Sequence, residues 1–190
     1  NPGATHNAST TFTASVEQLD NRGGKLNVGS LNIAASGDLI NADGVLSSAT
    51  DANLTVGGKI ENTRGSISAA GALTANVAGA TISNSGTLAA NQALTLNTSS
   101  LENAGGSIQS AQGGVQLGVT NALTNGTGGS INAATDLGIQ VGSLANGGSL
   151  RGGNDANIAV GGALTSDGSI TAGRNTTVTG GNVHGGTGSG

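Results

Sequence analysis

The sequence predicts an all-β fold, a β-solenoid of about eight coils of about 21 residues each. Three observations predict it. A unit of near-constant length recurs eight times, apolar residues alternate within each unit, and the composition suits a narrow, regular interior. Glycine supplies 36 of 190 residues, Phe12 is the only aromatic, and charged residues make up 8%. Large aromatic fillers carry much of the buried area of an ordinary globular core, and here they are missing. Low net charge, -4, also sets the chain apart from a disordered one.

Each element of the unit has its own reason. The unit opens on an aliphatic file at Leu19, Leu39, Ile60, Ile82, Leu101, Leu123, Leu144 and Leu164, in steps of 19 to 22 residues. Two positions on stands an amide file: Asn21, Asn41, Asn62, Asn84, Asn103, Asn125 and Asn146, with Ser166 in the eighth unit. Alternation turns these amides inward with the opening aliphatic, so they are expected to stack inside a corner as a structural Asn ladder. A buried amide is costly unless bonded, and a neighbouring coil supplies a partner at each step. Gly24, Gly44, Gly65, Gly86, Gly106, Gly129, Gly148 and Gly168 each stand two residues before a member of a second aliphatic file, and glycine in general is expected to supply the positive φ that tight corners demand. A second aliphatic file follows at Leu26, Leu46, Ile67, Leu88, Ile108, Ile131, Leu150 and Ile170. The last strand has period two, as in Leu54-Thr55-Val56, Leu94-Thr95-Leu96 and Ile158-Ala159-Val160. Short strands of this kind close one coil, and each coil pairs with the next in parallel about 4.8 Å away.

The outward residues obey the same stacking. After the opening aliphatic stand Asp20, Ile40, Glu61, Ser83, Glu102, Thr124, Ala145 and Thr165, and no two acids are neighbours. Like charges directly opposite one another in a sheet repel. In the Leu-x-Val strand, Thr55, Thr74 and Thr95 are expected to form three successive outward threonines, too few for the flat threonine array of an ice-binding face.

Other chemistries find little support. There is no basic run with interleaved aromatics, so no nucleic-acid partner is expected, and no apolar stretch approaches the ~20 residues of a membrane helix. Cysteine is absent, His6 and His184 lie near opposite ends, and seven Asp residues cannot serve a calcium-binding nonapeptide repeat. No metal or cofactor is therefore expected. A polysaccharide-active β-helix enzyme needs two carboxylates within about 5–10 Å. Asp38, Asp43 and Asp51 fall near one coil, but they read better as turn formers beside Gly and Asn. Arg22, Arg64, Arg151 and Arg174 read as solvated corner charges. No position gathers the convergent polar groups of a binding pocket, so a host-glycan module remains the weaker alternative to a structural role.

Ile60-Glu-Asn-Thr-Arg-Gly-Ser-Ile67 and Leu101-Glu-Asn-Ala-Gly-Gly-Ser-Ile108 resemble the haemagglutinin repeats of the filamentous haemagglutinin family, which includes two-partner-secretion adhesins and contact-dependent growth inhibition exoproteins. The resemblance runs over about residues 10–180. It implies a right-handed parallel β-helix exported through an outer-membrane two-partner-secretion transporter to the surface of a Gram-negative bacterium. The implied role is a structural and adhesive shaft segment without enzymatic activity. Receptors on a host or target cell would engage regions distal to it. Residues 1–9 are expected to flank the helix, and residues 181–190 to form a flexible Gly-rich tail.

Overall fold

The computed structural model describes residues 2–185 and is all-β, built from parallel strands. Each coil has three strand positions. The first face is a nine-stranded sheet that takes one short strand per coil, from Thr5–Asn7 through Ser66–Ala69 to Ser169–Ala172. The second face runs from Thr11–Val16 through Ala52–Val56 and Leu94–Thr98. The third holds Leu19–Asp20, Leu39–Ile40, Ile60–Asn62, Thr81–Asn84 and Ser100–Glu102. In the last coils the second and third faces merge into the long strands Val115–Asn125, Leu137–Asn146, Ala156–Ser166 and Thr176–Gly185. Each junction between long strands carries a register shift at the bend, as between Val119 and Ala122.

Both aliphatic files pair as expected. Leu39 sits on Ile60, Leu101 on Leu123 and Leu144 on Leu164, while Leu46, Ile67, Leu88 and Ile108 stack in sequence on the first face. These side chains are buried, and among the described residues the buried polar ones are Asn, Ser and Thr. Burial of each Leu or Ile contributes about 1.5–3 kcal/mol, which a single coil cannot achieve without its neighbours. Phe12 packs half-buried over Leu31 in the first coil.

Parallel pairing runs beyond both expected limits of the helix. Thr5–Asn7 already pairs with the strand of the next coil, and Thr176–Gly185 pairs with Ala156–Ser166 throughout. His6 and His184 therefore lie in paired strands, opposite Leu26 and Thr165. Residues 186–190, the rest of the expected tail, lie outside the described residues.

The outward threonine file requires a correction. Thr74 pairs with Asn53 and Thr95, whereas Thr55 pairs with Asn76. Ala52, not Leu54, takes the inward place opposite Leu73, so the true register lies two residues from the one suggested by Leu54-Thr55-Val56. A shift of two keeps every side chain on its face, and alternation alone does not detect it.

Candidate functional site

The amide file is a continuous internal ladder. Asn21 Nδ2 donates to Asn41 Oδ1, and the same bond repeats from Asn41 to Asn62, Asn84, Asn103, Asn125 and Asn146, at 2.7–2.9 Å. Asn146 ends the row by donating to Ser166 Oγ at 3.1 Å, and Ser166 donates to the Gly168 carbonyl. Each amide also reaches backbone oxygen in the following coil, as Asn62 Nδ2 does to Thr87 O at 3.0 Å. All seven side chains are at most 2% exposed. The ladder is thus closed to ligands, and its amides are consumed by one another.

This arrangement explains corner glycines such as Gly44, Gly65, Gly106 and Gly129, whereas the positive φ of these corners falls on the residue before them. Gly44, Gly65 and Gly129 have ordinary φ; among the described residues the positive-φ glycines are Gly3, Gly23, Gly79, Gly105 and Gly128. A Cβ on Gly65 would lie 2.5 Å from Asn62 Oδ1 and closer still to the Asn41 carbonyl oxygen. Glycine is required because the amide of its own coil and the backbone of the previous one occupy that space. Two non-glycine residues do take the left-handed conformation, Asp43 at φ 55° and Arg64 at φ 53°.

The charged side chains have partners rather than simple solvation. Arg64 pairs with Asp43 of the preceding coil at 2.7 Å, and this guanidinium holds the Asp43 carboxyl below its ordinary pKa. Arg22 grips Asp20 through its side chain and backbone N–H, lowering the Asp20 pKa to about 2 against a weaker opposing effect of burial. Arg174 pairs with Asp155 at 3.0 Å, and Arg151 donates to Asn132 Oδ1 at 3.4 Å. Asp38, Asp43 and Asp51 stand in different corners; Asp43 holds Arg64, and the other two cap backbone. Asp38 Oδ1 accepts the Lys59 N–H at 2.9 Å, and Asp51 Oδ1 accepts the Ala72 N–H at 2.8 Å. Asp155 Oδ1 accepts the Asn175 N–H in the same way. Their shared signal is an Asp placed directly before the first inward residue of a strand, as in Asp38-Leu39 and Asp51-Ala52.

One surface feature escaped the sequence reading. An open groove of about 980 Å³ follows the bend between the second and third faces, from Asn76 to Gly180. It crosses six coils, on the order of 24 Å of rod at strand spacing. Four side-chain amides, Asn76, Asn97, Asn121 and Gln140, converge on it, and none of its lining side chains is charged. Asn97 Nδ2 donates to Asn76 Oδ1 and Asn121 Nδ2 to Ser99 Oγ, each at 2.8 Å. Asn76, Asn97 and Gln140 share one outward file, with Gly118 between them, and Asn121 stands three residues past that file at the bend.

The stacked repeat has a counterpart among known families. A haemagglutinin repeat model matches residues 1–74, 68–137, 111–146 and 139–186. The chain belongs to the haemagglutinin repeat family. No match was found among curated proteins or solved structures. The overlapping matches run through the whole stack of coils. In this haemagglutinin repeat chain the recurring residues of the motif are the ladder amides, their corner glycines and the two buried aliphatic files.

Proposed function

We propose that this chain is a rigid shaft segment of an adhesin-type exoprotein, one that holds distal binding or toxin modules away from a bacterial surface. The observation that carries this reading is the unbroken internal register. The same amide and aliphatic files pass through coil after coil, whatever the outward residues are. A rod of this kind transmits length, because each added coil extends it by about 4.8 Å. Membership of the haemagglutinin repeat family supports a secreted or surface-displayed setting. The export partner proposed is an outer-membrane two-partner-secretion transporter, and a contact-dependent inhibition exoprotein is one parent that fits.

A clean test removes one coil from the parent exoprotein. Deleting residues 39–59 joins Asp38 to Ile60, places Asn62 above Asn21, and leaves the groove of the later coils intact. The rod should fold, be exported, and measure about 4.8 Å shorter in cryo-electron micrographs, with adhesion or inhibition retained. Loss of adhesion in a variant that folds and is exported normally would show that coil to be a binding element, and the spacer reading would be wrong.

A further inference from the structure

We infer that the groove along the bend of the later coils is a binding site for an uncharged, hydroxyl-rich polymer, a neutral glycan chain lying along the rod axis. The inference adds a lateral ligand to the shaft and does not depend on what lies at either end.

Glycine placement is the first argument. Glycine within a strand costs conformational entropy and often marks a close approach of ligand or backbone. Corner glycines such as Gly44, Gly65, Gly106 and Gly129 are accounted for by the Asn ladder. Gly118 and Gly161 are not. Both line the groove, and both have φ outside the left-handed region. A Cβ on Gly161 would find its nearest neighbour 3.7 Å away, in ordinary contact. On Gly118 it would lie 2.7 Å from the Asn97 amide oxygen, so that side chain would have to turn aside, while the nearest backbone atom is 4.0 Å away. No backbone clash keeps these positions empty, and their effect is to deepen the floor.

The lining chemistry selects the ligand. Carboxamides donate and accept together, as a sugar hydroxyl does. The Asn97–Asn76 and Asn121–Ser99 bonds hold two of these amides in place, and each retains a second N–H for a ligand. Sulfated or uronic acid chains call for Arg or Lys, and none lines the groove. An extended peptide would add to a free sheet edge, but the groove runs across coils that pair with one another in parallel. The Asn121 N–H, for example, is bonded to Ser99 O at 2.8 Å. Amides on successive coils meet a linear polymer at several points, so individually weak contacts add along its length.

The test titrates the intact chain with gluco-, manno- and galacto-hexaoses, with a heparin hexasaccharide as the anionic probe, following amide side-chain NMR signals. At least one neutral hexaose should bind at about 1 mM or tighter, insensitive to salt. Gly118→Val with Gly161→Val fills the floor at outward strand positions. It should weaken binding at least tenfold while the melting temperature holds or rises. Should that variant misfold, Asn97→Ala with Gln140→Ala strips exposed amides instead, and the same tenfold loss is expected. The inference is overturned by the absence of binding to every neutral hexaose. Equal overturning outcomes are binding unchanged in a folded variant, salt-sensitive preference for heparin, or concentration-dependent dimerisation through the groove. None of these outcomes bears on the coil-deletion test, which alters another part of the rod.

Discussion

The early and late coils turn the same corner in two ways. Between the second and third faces, the coil with Ala52–Val56 and Ile60–Asn62 breaks the strand at Gly57-Gly58-Lys59. Its Lys59 N–H is capped by Asp38 of the coil before, and its Lys59 ammonium pairs with Glu61 at 3.2 Å. In the late coils the strand continues through the bend, from Val115 to Asn125 and from Ala156 to Ser166, and absorbs the turn as a register shift. No charge lines that later corner. Inside, nothing changes: Asn62 and Asn125 make the same amide bond to the following coil, at 2.8 and 2.9 Å. The interior fixes one residue type per file, while the exterior of the same corner is free to be a charged cap or a neutral groove.

The largest effect should come from placing a methyl group where the interior has no room. Gly65→Ala in an early coil and Gly129→Ala in a late one drive Cβ into a carbonyl oxygen of the preceding coil and within 2.5 Å of an amide oxygen. Each should cost about 3 kcal/mol, the upper end for overpacking, because backbone and not a flexible side chain must move. Gly161→Ala, at the late corner, should be near neutral. Urea melts of the three variants test the contrast. A Gly65→Ala protein as stable as the parent would mean that the ladder and the corner glycine are not coupled.

A smaller loss is expected from Asn62→Leu and Asn125→Leu. Either change leaves the amide above without its acceptor and the amide below without its donor, though some backbone bonds remain. A cost of ~1–3 kcal/mol follows for each. The two values should agree within error despite the different corners outside. A large difference would mean that the bend of the late coils feeds back on the ladder.

Much of the inside is legible in the sequence. A file such as Leu39, Ile60, Ile82 follows from period and alternation, and the inward Asn follows from its even offset from Leu or Ile. The outside was less legible. Thr55 was placed one file off because Leu54-Thr55-Val56 and Leu73-Thr74-Ala75 look alike, and only Ala52 beneath Leu73 settles which pairs with which. The file of Asn76, Asn97 and Gln140 recurs in the sequence, but the groove does not show there, because it depends on the bend that brings Asn121 beside that file. Glycine misled in a third way, since φ and close approach leave the same residue in the sequence.

The smallest effect concerns charge along the outer files, and it distinguishes the true register from the apparent one. Thr74, Thr95 and Gln116 stack on three successive coils, whereas Thr55 belongs to the file of Asn76 and Asn97. Lysines at 74, 95 and 116 place two like-charged pairs at strand spacing, each costing roughly 0.2–1 kcal/mol in dilute salt. Lysines at 55, 74 and 95 place only one such pair directly opposite, with the third charge displaced diagonally. These sites are solvent-facing, so salt shortens the range of the repulsion and should restore most of the loss. Melting both triple variants at low and high ionic strength gives the comparison. The stacked triple should show about twice the salt-dependent recovery of the displaced one. Equal recovery in the two would mean that the outer side chains splay apart and that stacking along this face ends at the backbone.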